Sequence, residues 1–158
     1  MAAIGQYSLA LEDFDRACKI EKSLTDGLYT QHGLVLSYLE RYPEAIEVYK
    51  RDLKANKFVA LYNIAIAMVR WKGIVTSQEH INAARVELLN IINSDNNESA
   101  LYGLGGLEAI EGKTEQALAY LQQAVLNGNH ALNWARHDMA WLDLRTNPQF
   151  QLLVKDLE

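Results

Sequence analysis

One pattern recurs along this chain: an alanine, a bulky apolar residue four positions later, and usually a small residue three after that. It occurs as Ala10, Phe14 and Ala17; as Ala45, Tyr49 and Asp52; as Ala84, Leu88 and Ile91; and as Ala117, Leu121 and Ala124. The alanines stand 35, 39 and 33 residues apart, close to the ~34-residue period of repeats built from helical hairpins. A chain with this period folds as an array of similar units, because no single hairpin buries its own apolar face and each needs a neighbour.

Every copy of the pattern lies in a segment of helical periodicity. Ala45, Ile46, Tyr49 and Leu53 share one face, as do Ile81, Ala84, Leu88 and Ile91, and again Ala117, Leu118, Leu121, Ala124 and Val125, at spacings of three, four and seven. Between these segments lie further helical stretches at 28–39, 60–71 and 100–110. The connections within each pair carry breaker residues: Arg41-Tyr42-Pro43, Gly73 to Gln78, and Gly112-Lys113-Thr114. Links this short make the joined helices antiparallel neighbours. The small residue at each alanine position lets two helices approach toward the ~8 Å end of the interaxial range. No segment alternates with period two, so no strand is expected.

The irregularities are as readable as the period. The third unit has a longer connection, Lys72 to Glu79, which accounts for the stretched spacing. Thr76 with Glu79 has the spacing of a capping box restarting the helix, and Asp95 with Glu98 repeats that start signal. The first unit lacks a partner helix, so an uncovered apolar flank is expected there, open to a preceding segment or to another copy of the chain. Asn147 suits an N-cap, Pro148 the first helical position, and Phe150, Leu153, Val154 and Leu157 an apolar face.

Composition narrows the function classes. Of 158 residues 49% are hydrophobic and two are proline, which permits long helices and argues against disorder. The net charge of −5 disfavours a phosphate-backbone ligand. The densest basic run, Lys50, Arg51, Lys54 and Lys57, falls at a helix C-terminus, where it complements the macrodipole. Cys18 is the single cysteine, so no disulfide forms within the chain, and a structural thiol is expected. No signal-peptide pattern or apolar run of ~20 residues is present. The expected setting is cytoplasmic, without a membrane or nucleic-acid partner.

The period, the alanines, and segments such as Ala60-Leu61-Tyr62-Asn63-Ile64-Ala65 and Gly112-Lys113-Thr114-Glu115-Gln116-Ala117-Leu118 closely resemble tetratricopeptide (TPR) repeats. Trp134-Ala135-Arg136-His137-Asp138, followed by Leu142 to Phe150, looks like the closing segment of many bacterial TPR arrays. Departures are visible: Lys22, Lys57, Asn96 and Asn129 replace the usual proline, Tyr29, Leu61 and Leu101 replace a tryptophan, and Asp52 stands where a small core residue is normal. The resemblance implies an all-α, right-handed α-solenoid of antiparallel helical hairpins, a TPR-like superhelix. The expected organisation is one domain over 1–158, with a half-repeat at 1–24, repeats at 25–57, 58–95 and 96–129, and a capping segment at 130–158.

Such hairpins resemble one another in presenting their first helices to a concave groove that takes up a peptide or helix. Counted from Gly33, Ala65 and Gly105, the groove-facing residues implied here are Thr30, Leu34, Ser37, Tyr62, Asn63, Ile66, Val69, Tyr102, Gly106 and Ala109. The set is mostly apolar and suits a hydrophobic ligand, with Tyr62 and Tyr102 as the expected anchors. A clamp for a terminal carboxylate, as in chaperone-tail-binding modules, is not expected: Asn63 matches one position, but Thr30, Leu34, Ser99 and Gly103 occupy the others.

Other chemistry finds little support in the residues. Gly103-Leu104-Gly105-Gly106 is not a phosphate loop, since the full glycine spacing and a preceding strand are absent; close helix contact is the expected role. The histidines His32, His80, His130 and His137 have no metal-ligand spacing. His32 is expected at a hairpin packing site, His137 near the cap, and Trp71 and Trp134 packed at hairpin ends. The expected function is therefore non-catalytic protein-protein interaction, without metal or cofactor. The alternative is a structural fragment of a longer array that self-associates through its N-terminal flank.

Overall fold

The computed structural model describes residues 2–20, 28–95, 98–128 and 132–155, with side chains over 6–17, 28–93, 98–128 and 134–155. Among the described residues the chain is all-α, with no strand. The helices are α1 (Ala2–Ile20), α2 (Leu28–Tyr38), α3 (Tyr42–Arg51), α4 (Lys57–Lys72), α5 (Gln78–Asp95), α6 (Glu98–Ile110), α7 (Thr114–Leu126), α8 (Leu132–Ala135) and α9 (Pro148–Lys155). Short 3-10 segments cover Val75–Ser77 and Met139–Leu144. Two compact units divide the chain, Met1–His80 and Ile81–Glu158.

In the first unit α1 packs on α2, α2 on α3, and α3 on α4, each on its neighbour in chain order. Leu11, Leu36, Ala45, Ile46, Val48, Tyr49, Ile64 and Ala67 form its core. Ala45 is fully buried, and the Tyr49 ring lies so close to Gly33 that a Cβ there would fall 2.3 Å from Cε1. This close approach is what the small residue in the first helix allows. The α2–α3 turn uses the bond from Arg41 N–H to the Leu36 carbonyl (2.9 Å) and from Glu40 N–H to Ser37 (3.0 Å), with Glu40 at φ 58°. That is the Schellman C-cap, with glutamate in the left-handed position that glycine ordinarily fills. Pro43 then sits in the first turn of α3, and Lys50 and Arg51 in its last.

In the second unit α6 packs on α7 and on the 3-10 segment, and α7 on α9. Every residue of α6 from Ala100 to Ile110 is buried. Gly103 and Gly105 owe their place to close contact: an added Cβ would meet Leu88 Cδ2 at 2.9 Å in the first case. In the second it would meet the Trp141 ring at 2.9 Å and the Ala117 carbonyl at 3.1 Å. The α6–α7 turn repeats the Schellman bonds, Lys113 N–H to Glu108 (2.9 Å) and Gly112 N–H to Ala109 (3.0 Å), here with Gly112 at φ 77°.

The closing segment folds as its residues predict. Asn147 Oδ1 accepts from Gln149 N–H at 2.9 Å and from Phe150 N–H at 3.1 Å, capping α9 at Pro148. Phe150 and Val154 are buried and Leu153 half-buried, while Leu157 lies outside the described residues. Trp141 is fully buried and stacks on Phe150.

Three local expectations differ. Thr76 lies within the 3-10 turn and α5 begins at Gln78, so Thr76 is not the N-cap. Ser77, fully buried, donates instead to the Gly73 carbonyl at 2.7 Å. Asp95 ends α5 while Glu98 opens α6. Trp71 is 42% exposed at the end of α4, with Lys72 Nζ 3.9 Å from its ring centroid; Trp134 is exposed as well. The side chain of Cys18, and all of His130, Lys22, Asn96 and Asn129, lie outside the described residues.

Candidate functional site

The first helices, α2, α4 and α6, carry the ten residues expected to face a groove. In the first unit Thr30 is half-buried, while Leu34, Ser37, Tyr62, Asn63, Ile66 and Val69 are buried; in the second, Tyr102, Gly106 and Ala109 are buried. Tyr62 and Tyr102 retain only narrow exposed edges, 7% and 9%. Several polar members are committed within the fold. Ser37 Oγ donates to the Gly33 carbonyl at 2.9 Å and lies 3.2 Å from the Tyr49 hydroxyl. Asn63 Nδ2 donates to the Val59 carbonyl at 3.0 Å. Thr30 Oγ1 donates to Asp52 Oδ2 at 2.8 Å, which gives the buried Asp52 carboxylate a partner where a small residue was expected.

Tyr102 illustrates why. Its hydroxyl donates to Asp138 Oδ2 at 2.9 Å, and its ring packs on Trp141. Asp138 Oδ1 simultaneously accepts from Ala140 N–H at 2.9 Å and caps the 3-10 segment. One buried carboxylate therefore ties α6 to the closing segment, a link that sequence reasoning missed because the two residues are 36 positions apart.

Charged groups form a second set. Arg85 of α5 pairs with Glu108 of α6 and with Glu111 in the turn that follows it, and Lys113 joins at 2.9 Å from Glu111 and 3.4 Å from Glu108. The Glu111 bond raises the Lys113 pKa above its ordinary value. Glu108 is nearly buried, so removal of Arg85 would strand a charge, the expensive way to break such a pair. In the first unit Arg41 holds Glu44 through two bonds, which lowers the Glu44 pKa.

His32 is the one titratable side chain of chemical interest among the expected packing residues. It is 6% exposed, stacks on Phe14 at 5.3 Å, and stands 3.9 Å from Asp15. Burial pushes its pKa below the ordinary value; Asp15 opposes that shift, whereas Arg51 and Arg41 add to it. It borders a cleft of about 370 Å³ between Leu11, Leu36, Arg41 and Arg51. A second cleft, of about 350 Å³, lies in the closing segment beside Arg136 and Arg145. Among the described residues, no group of three or more His, Cys, Asp or Glu side chains converges as a metal site, and no helix is long and apolar enough to cross a membrane.

Exposed apolar side chains include Trp71, Ile74 and the 90% exposed Val75 around the extended connection, Leu126 at the end of α7, and Leu9, 64% exposed on α1. The other exposed residues described on α1 are polar, with Arg16 paired to Glu12 and Asp13.

No family model matches the chain, and no solved structure does. A stretch of 74 residues is 34% identical to the photosystem I assembly protein Ycf3 of Parasynechococcus marenigrum (strain WH8102), covering 44% of this chain and 43% of that protein. The chain thus spans less than half the length of this curated relative.

Proposed function

We propose that the chain is a non-catalytic protein-interaction module of the tetratricopeptide type that serves in building a larger protein assembly. The observation that carries this is the repeated hairpin itself. Ala45, Ala84 and Ala117 are each fully buried, and each has its bulky partner, Tyr49, Leu88 or Leu121, buried four residues on. Such hairpins offer side-chain surface rather than convergent acids, bases or nucleophiles. The partial likeness to an assembly protein supports the same class of role.

In the finer form of this reading, a peptide or helix of the partner lies on the first helices α2, α4 and α6. It would touch the exposed edges of Tyr62 and Tyr102, in the cytoplasm and without nucleic acid or membrane. Affinity capture from the native host followed by hydrogen exchange of the complex tests it. Protection concentrated on α2, α4 and α6 is the expected outcome. Protection confined to the outer helices or to the Trp71–Val75 connection would reject the groove.

Leu9 favours a second reading, stacking of copies through α1, because it is the large apolar side chain exposed on that helix among those described. Light scattering at high concentration should then show a dimer that Leu9→Glu abolishes; a monomer throughout would dismiss it.

A further inference from the structure

The closing segment contains a cleft whose lining is cationic and apolar. Arg136, Arg145 and Lys155 supply the charge, Phe150 and Val154 the apolar wall, and Gln151 the remaining side, with no carboxylate among the described residues that line it. This stands out in a chain of net charge −5.

The two arginines are held differently. Arg136 Nη2 donates to the Val154 carbonyl at 2.6 Å, satisfying one of the carbonyls left open at the end of α9. Arg145 is fixed through its backbone, whose carbonyl accepts from Gln151 Nε2 at 3.1 Å. Its side-chain Nε and Nη2 are shielded from solvent and have no hydrogen-bond partner among the described residues. Buried guanidinium donors without an acceptor are costly, and the deficit is recovered when an anion arrives.

The geometry of those atoms identifies the anion. Nε and Nη2 form one edge of the guanidinium, the edge that takes a planar two-oxygen group with two parallel bonds. The same edge of Arg41 does this in the first unit, with Nε 2.7 Å from Glu44 Oε1 and Nη2 2.5 Å from Oε2. Phe150 and Val154, both buried, wall the cleft beside it and keep its local dielectric low. A polyphosphate chain would meet the net negative field of the whole protein, whereas a short segment bearing one carboxylate meets chiefly the local cations.

We infer that the Arg145 cleft is a docking site for an acidic peptide segment of a partner protein. A Glu or Asp side chain pairs with Arg145, and the neighbouring residue of the segment lies over the mouth of the cleft. Gln151 and Lys155, both exposed, form the rim through which the carboxylate enters. The site belongs to the closing segment and does not depend on the first-helix faces, so its failure would leave the groove reading intact.

Titration of the full chain with acetyl-Leu-Glu-Leu-amide, followed by the NMR signals of Arg145 Nε–H and the Phe150 amide, tests the assignment. Saturable shifts are expected. Binding should weaken by roughly tenfold or more for the Gln analogue of the peptide and for Arg145→Gln. Lys155→Gln, at an exposed position, should weaken binding less and reduce its salt dependence. If Arg145→Gln loses the native α9 signals, the Gln peptide and Lys155→Gln decide. Equal binding of the Glu and Gln peptides, unaltered binding by a folded Arg145→Gln, or equally strong shifts with inorganic phosphate would overturn it.

Discussion

At the residue scale, the small side chains of the repeat are distinguished by what surrounds them. Gly33 and Gly105 face atoms with little room to move: a buried tyrosine ring in one case, a backbone carbonyl and a buried tryptophan in the other. At Gly103 the nearest atoms are the two methyl carbons of Leu88, the far end of a flexible side chain. Alanine gains up to about 1 kcal/mol of helix propensity over glycine, while overpacking costs typically about 1–3 kcal/mol. Urea unfolding should therefore show Gly33→Ala and Gly105→Ala destabilised by roughly 1–2 kcal/mol, with Gly103→Ala near neutral. The mid-helix glycines were legible in the sequence as close-contact positions. Which of them tolerates a methyl was not, because that depends on the neighbour's freedom rather than on the glycine.

His32 is the residue-scale source of a pH effect. Its folded pKa is depressed below the ordinary 6.5, chiefly by burial, so the unfolded chain binds the proton more readily. The stability contributed by neutral His32 is fully present above the unfolded pKa and is lost as pH falls through the window below it. Unfolding midpoints at pH 7 and pH 5.5 should differ less in His32→Phe than in the parent protein. An undiminished difference would assign the effect to other groups.

At the element scale, the two described Schellman turns make a direct comparison. Gly112 takes the left-handed position at φ 77° and Glu40 the equivalent one at φ 58°. A non-glycine residue costs roughly 1 kcal/mol in that region. Glu40→Gly should raise stability by about 0.5–1 kcal/mol, read from the urea midpoint, even though glycine removes a side chain. Helix positions were readable from periodicity and breakers: expectations at 28–39, 60–71 and 100–110 meet α2, α4 and α6 within three residues at either end. The Glu40 cap was invisible, since nothing in glutamate signals a left-handed turn. The capping signal at Thr76 also failed there, because Ser77 packed into the interior and fixed the helix start one residue later.

At the scale of the whole molecule, each unit is built from helices that pack on near neighbours in the chain. Local packing of this kind lets terminal elements open without the interior. Native-state hydrogen exchange should therefore find α6, buried from Ala100 to Ile110, as the slowest helix of its unit. The described amides of α9, whose Gln149, Gln151 and Leu152 are exposed, should exchange well ahead of it. Equal protection across α6 and α9 would mean that the unit opens only as a whole.

The sequence by itself determined the all-α fold, the hairpin period, the helix that Asn147 caps and the exclusion of metal-ligand spacings. These depend on residues within a few turns of one another, where periodicity and capping chemistry act directly. Tertiary structure decided what each repeated residue does. Tyr102 became half of a hydrogen bond to Asp138, Asp52 found Thr30, Arg85 bridged to Glu108 and Glu111, and Arg145 was left with two buried donors. In each pairing the partner lies more than twenty residues away in the chain, and only packing determines which polar groups lose water and what they meet in its place.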